Sequence, residues 1–294
     1  LVGSEMCIRD RIGEKMVMRN RRTTIRTILL AIALLLLLAI FVYPIIIVFI
    51  NSIKPVGEIL GAPLSLPKTV QLSNFIQAWK ITSMGKLLRN SAILTICSVS
   101  AVVVFSAMSA YWCHRYRNAV TRTFTALLMV SMLIPFASLM IPLVKITTVL
   151  HINNTLPGAI IVFAGVGLAF GFFMMQSAVK TLPRELEEAA ALDGCGPVRT
   201  FFCIVFPLMK NTVFSLIAMD LFWVWNDFMI PQTLLNSTKY DTIQVGINKL
   251  FGMYASKWDI ALAALVMSMI PTIIAFLLLQ KQILGGVSDG ATKG

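Results

Sequence analysis

Apolar residues gather along this chain in six long blocks, with polar positions confined to the stretches between them. A helix needs about 20 mostly apolar residues to cross the hydrocarbon of a bilayer. Residues 27–53, 90–113, 123–144, 152–179, 211–231 and 260–280 meet that length and predict six spanning helices in an all-α membrane fold. The third block carries Pro135 and Pro142, which kink a membrane helix but are tolerated where neighbours satisfy the freed carbonyls. The first block has the basic flank and apolar core of a signal peptide. It is too long for one, and Tyr43-Pro44 stands where a small-residue cleavage site would follow, so it reads as an anchor.

Composition agrees with the pattern. Of 294 residues, 57% are hydrophobic and 13% charged, against roughly a quarter charged in a soluble domain. The net charge of +12 would suggest nucleic acid in a soluble protein; here the basic residues fall in alternate short loops, the pattern of cytoplasmic connections. Arg19, Arg21, Arg22 and Arg26 precede the first span, and Arg115, Arg117 and Arg122 follow the second. Lys180, Arg184, Arg199 and Lys210 lie between the fourth and fifth, and Lys281 follows the sixth, whereas residues 146–154 contain no Lys or Arg. Both termini are therefore expected in the cytoplasm, with residues 51–89 and 232–259 facing outward. Residues 1–15, which include MCIRDR, are similar to a peptide produced when sequencing-adapter DNA is translated. They are read as a non-native extension, with the natural start at Met16 or Met18 and one membrane domain over residues 16–294. The five cysteines show no CxxC and no His spacing, so no metal site is expected. His114 and His151 are single and read as surface residues.

Residues 181–207 break the apolar pattern. Pro183 can open a helical turn, and Glu185, Glu187 and Glu188 complement a positive helix N-terminus. Leu186, Ala189, Ala190 and Asp193 follow at helical spacing, and Gly194 stands where a left-handed cap is wanted. This predicts a helix of about three turns, too short and acidic to span. Gly196-Pro197 starts a second element whose Val198, Phe201, Phe202 and Val205 are expected on one side, at the membrane interface, before Pro207 breaks into the fifth span. Physics alone leaves two readings open: a helix whose small Ala face enters another protein's groove, or a loop that only caps the bundle.

Glu188-Ala189-Ala190, three residues, Gly194, nine residues, then Ile204-Val205-Phe206-Pro207 resembles the EAA motif of ABC-importer permeases, E-A-A-x3-G-x9-I-x-L-P, with Phe206 in place of the Leu. Residues 87–95 (LLRNSAILT), 225–228 (WNDF) and 290–294 (GATKG) resemble the carbohydrate-importer branch. The resemblance implies the six-helix type I importer permease fold and a cell-membrane location in a prokaryote. It implies import of a sugar or sugar derivative, delivered by an extracytoplasmic binding protein. The partners it implies are a second permease subunit, two ATPase subunits and membrane lipid, with no nucleic acid. The loop would be the coupling helix docked in the ATPase, carried by Glu187, Glu188, Ala189, Ala190, Asp193, Gly194, Ile204 and Pro207. No GxxxxGK[ST] occurs, so the chain is not expected to bind ATP or another cofactor, nor to be an enzyme itself.

Within the spans, the fifth alone carries acids, Asp220 and Asp227. Intramembrane carboxylates face a cavity or a partner. Trp223, Asn226 and Asp227 form a set suited to a sugar: amide and carboxylate for hydroxyls, indole for the apolar face. The other reading leaves Asp227 solvated near the outer surface and Trp223 in the interfacial aromatic belt. Asp220 is expected to hydrogen-bond the partner permease. Gly167 and Gly171 form a GxxxG suited to close helix packing. The alternatives are a permease for a non-sugar solute, or an ion-coupled secondary transporter. The latter calls for ionisable residues in several spans.

Overall fold

In hydrocarbon every peptide N–H and C=O must be paired within the protein, and each apolar block of the chain accordingly becomes helix. The computed structural model describes the backbone of residues 2–251 and 257–291 and the side chains of residues 26–251 and 257–281. The foreign-looking residues 1–15 and the closing GATKG lie outside the residues with described side chains.

The chain forms two compact units, Leu1–Gln71 and Leu72–Gly294. In the first, α1 (Val2–Ser52) carries the candidate span Arg26–Ser52 and contains Pro44, and α2 (Val56–Gly61) follows. The turn after α1 is tied back on itself. Asn51 Nδ2 donates to the Pro63 carbonyl at 2.9 Å, Lys54 Nζ to that of Ala62 at 3.2 Å, and the Gln71 amide to that of Ile53 at 2.7 Å. Glu58 accepts from the Lys68 amide at 3.0 Å and the Thr69 hydroxyl at 2.9 Å. These bonds, the Lys68 amide foremost, hold its carboxyl below the ordinary range.

The second unit runs through α3 (Ser73–Ile81), α4 (Met84–Arg115), α5 (Ala119–Ser131), α6 (Phe136–Val149) and α7 (Leu156–Val179). The polar loop contributes α8 (Glu185–Leu192), α9 (Pro197–Thr200), a π turn (Phe201–Val205) and α10 (Phe206–Leu208). α11 (Lys210–Asn226), α12 (Met229–Leu234), α13 (Ile243–Asn248) and α14 (Trp258–Ala291) complete it. Among the described residues, four helices, those of α1, α4, α7 and α14, are long and apolar enough to cross a membrane. The total is six if the bent pairs α5–α6 and α9/α10–α11 each count as one span.

Both bends lie near prolines already expected to kink or break the chain, Pro135 and Pro207, and are sharp. α5 and α6 meet at 115°. Pro135 adopts an extended ψ of 135° and caps α6 from outside, while its ring disfavours helix at the residue before it, Ile134. Pro142, the second proline of that block, sits inside α6 without ending it. The fifth span is also shorter than residues 211–231: α11 ends at Asn226, and Pro231 belongs to α12.

α4 and α7 form the centre of the core. Gly167 and Gly171 let them meet closely: a Cβ on Gly167 would stand 2.8 Å from Val102 Cγ2, and one on Gly171 2.9 Å from Ser106 Oγ. Such small-residue contacts are how lipid-embedded helices gain packing without a hydrophobic drive between them. At the end of α4 opposite α8, polar bonds pin the long connection into α14. Buried Asn90 donates from Nδ2 to the carbonyls of Lys239 and Asp241, both at 3.0 Å. Ser91 Oγ accepts from the Ile243 amide at 2.9 Å. Asn154, at a left-handed φ of 57°, accepts through Oδ1 from the amides of Asn236 and Ser237, a conformation Asn tolerates better than most residues. Replacing Asn90 by Leu leaves two carbonyls without their donor. It is expected to lower stability by about 1–3 kcal/mol, read as a reduced unfolding midpoint of the detergent-solubilised protein.

Candidate functional site

The site is the polar loop at the Arg115 end of α4. Three acids, Glu185, Glu187 and Glu188, stand in the first turn of α8, where their charge complements the positive end of the helix. The helix has eight residues, two turns instead of three, because Asp193 already serves as its cap. Gly194 takes φ +81°, the conformation glycine adopts without steric cost. The Cys195 amide bonds the Ala190 carbonyl at 2.9 Å and the Gly194 amide that of Ala191 at 3.1 Å, which closes the helix in a Schellman motif. Pro183 lies just outside the helix, before the capping Arg184.

The second element does not present one apolar side. Its π turn carries the Phe206 amide back to the Phe201 carbonyl, and the extra residue per turn rotates the pattern. Pro207, without an N–H, follows directly. Phe201 and Val205 are buried in the core, whereas Val198 and Phe202 point outward. The segment then bends by 77° into α11.

The expected site residues divide between two faces. Glu188, Ala189, Asp193, Gly194 and Pro207 are exposed, Ile204 is half-buried, and Ala190 is buried. Leu192 projects most, at 90% exposed. Glu187 turns the other way. Its carboxylate pairs with the Arg115 guanidinium and accepts from the Tyr111 hydroxyl at 2.8 Å. Arg115 also donates to the Leu182 carbonyl at 3.4 Å, and its guanidinium carbon lies 6.0 Å from the Tyr111 ring centroid. Tyr111 in turn packs its ring on Phe201 at 5.4 Å. Tyr111 and Arg115 are members of the site that the local pattern did not mark. Arg115 registers in the sequence only as one basic loop residue, and nothing local joins positions 111 and 187.

The trio expected to meet a solute does not converge. Trp223 is half-buried and packs edge-on against core residue Phe163 at 5.5 Å. Asn226 is exposed, with Nδ2 donating to the Phe222 carbonyl of its own helix at 2.8 Å. Asp227 accepts from the Ile230 amide at 2.8 Å and so caps the start of α12. Asp220 is buried within the chain at 3% exposure, so it does not reach outward to a second subunit as expected. The helix α11 directs it into its own bundle.

Residues 102–288 match the family model described as binding-protein-dependent transport system inner membrane component. The chain is 31% identical to a probable starch degradation products transport system permease protein, AmyC, of Thermoanaerobacterium thermosulfurigenes, over 93% of this chain and 99% of that protein. It is also 31% identical to the melibiose/raffinose/stachyose import permease protein MelC of Bacillus subtilis, over 94% of this chain and all of that one. Its fold is similar to a chain in the crystal structure of a bacterial ABC transporter involved in the import of the acidic polysaccharide alginate. There the TM-score is 0.77 at 23% identity, over 87% of this chain and 96% of that chain.

The capping role of Asp227 carries a specific expectation. Asp227→Ala should cost about 1 kcal/mol, whereas Asp227→Asn, itself a good cap, should stay close to wild type. Thermal unfolding of the two purified variants in detergent checks it.

Proposed function

The chain belongs to the family of binding-protein-dependent transport system inner membrane components, and from that premise we propose that it is the sugar-translocating permease subunit of an ATP-driven importer in a prokaryotic cell membrane. The observation that carries this reading is α8: a two-turn acidic helix closed by Gly194 in the EAA spacing, with Glu188, Ala189 and Leu192 turned outward at one end of the bundle. A short helix with small side chains suits insertion into a groove of another protein.

The proposed assembly has a second permease subunit beside this one, two ATPase subunits below, and an extracytoplasmic binding protein that delivers the solute. Both termini and α8 lie on the cytoplasmic side, as the Lys and Arg distribution favours. The relatives named for starch degradation products and for melibiose, raffinose and stachyose support an oligosaccharide or related sugar as cargo. In this reading ATP is bound and hydrolysed by the ATPase subunits, and this chain needs no cofactor of its own. Of the three residues expected to touch the solute, exposure supports Asn226 first, with Trp223 and Asp227 half-buried.

Energy then arrives mechanically. When the ATPase dimer closes it displaces α8, and the rigid helices turn that displacement into opening toward the outside, an alternating-access cycle around a central cavity. Gly194 is essential to the geometry because φ +81° closes the helix, and proline, fixed near −65°, cannot adopt it. Gly194→Pro and Glu188→Lys are expected to reduce sugar uptake by about tenfold or more while membrane insertion persists, with a coupling loss in the usual range for linked sites. Uptake by cells expressing each variant, normalised to membrane-inserted protein, is the test. Wild-type rates would overturn the assignment.

A further inference from the structure

Glu187 and Glu188 are sequence neighbours at the start of the same helix, yet they serve opposite directions. Glu188 is exposed, whereas the Glu187 side chain retains 15% exposure and that of its partner Arg115 9%. An ion pair this far from water is held by geometry and by its extra hydrogen bonds, and loss of one partner strands the other charge. The bonds here are the Tyr111 hydroxyl on Glu187 at 2.8 Å and the Arg115 contact to the Leu182 carbonyl at 3.4 Å. Both Tyr111 and Arg115 belong to the last two turns of α4.

The loop has two routes into the bundle. One follows the chain through α9, the π turn and α10 into α11. That route contains a π turn and a 77° bend, with Met209 out of helical geometry between its two halves. The other runs from α8 through Glu187 into α4, a continuous helix that is locked against α7 at Gly167 and Gly171. We propose that Glu187 is a positioning residue, the tether that carries movement of α8 into α4, while the outward face of α8 meets the partner. The proposal rests on the importer reading above. It separates the EAA loop into a docking side (Glu188, Ala189, Leu192) and a tether side (Glu187 with Arg115 and Tyr111). In it, α4 moves with α8 as one body, and α11 follows through its bend.

The test uses the complete importer, with its second permease, ATPases and binding protein, in lipid nanodiscs. Nitroxides at Glu185→Cys and Met108→Cys, both exposed positions off the docking side, in a background with the other cysteines replaced, report the α8–α4 distance without nucleotide and with ATP and vanadate. The tether predicts one sharp distance in both states. Glu187→Gln and Arg115→Gln should make it broaden or shift between states, and should lower stimulation of ATP hydrolysis by the binding protein about fivefold or more. The exchange Arg115→Glu with Glu187→Arg should restore both. A role in folding alone would lower the amount of assembled complex without changing the distance in what assembles, which counts against the tether. Unchanged distance and stimulation in the single variants would overturn it. Glu188→Lys separates this from the parent reading. If Glu188→Lys abolishes stimulation and Glu187→Gln is silent, only the tether fails; if Glu188→Lys leaves stimulation intact, the coupling reading fails first.

Discussion

No peptide group can remain unpaired in hydrocarbon, and most of this structure is a response to that demand. Apolar stretches form helices because a helix satisfies its own backbone. Where the backbone leaves helical geometry, the departure sits at a proline or is covered by a side chain. The break between α5 and α6 falls at Pro135, and Pro207 follows the π turn that precedes α11. At the far end of α4, Asn90, Ser91 and Asn154 supply the donors and acceptors that the long connection into α14 lacks. At the near end, Gly194 closes α8 on two of its own carbonyls.

The same demand places charge. A carboxylate drawn out of water must be paired, and Glu187 meets that condition with Arg115 and Tyr111. Its neighbour Glu188 remains in water. The result is a two-turn helix with one face bonded to the bundle and one face unoccupied. Asp220 is the costlier case, a carboxyl buried at 3% exposure inside α11's own packing.

The six apolar blocks, the acidic start of α8 and its glycine stop were legible in the sequence because each is a local property: hydropathy over 20 residues, charge within one turn, a residue that accepts positive φ. The EAA spacing supplied the family, and the match over residues 102–288 shows it. The prolines marked where the chain bends, but the size of the bends was not legible. Hydropathy summed over a window is blind to direction, so Pro135 and Pro142 look alike although the first stands at the break between α5 and α6 and the second inside α6. The split of Val198 and Phe202 from Phe201 and Val205 follows from one extra residue in a π turn, which a 3.6-residue reading cannot show. Tyr111 and Arg115 meet Glu187 across more than 70 positions, and a pairing that distant is set by how α4 and α8 pack. Asp227 stood out as an acid beside Trp and Asn; that its carboxylate also caps α12 depends on where α11 stops, which the local pattern does not show.

The central claim is that one face of α8 meets an ATPase subunit while the other is held by the bundle. Site-specific photo-crosslinking in the assembled importer addresses it most directly, with the crosslinker placed in turn at Leu192, which is 90% exposed, and at Ala190, which is 4% exposed. The account predicts capture of the ATPase subunit from position 192 and none from position 190. Equal capture from both positions, or none from 192, would contradict it.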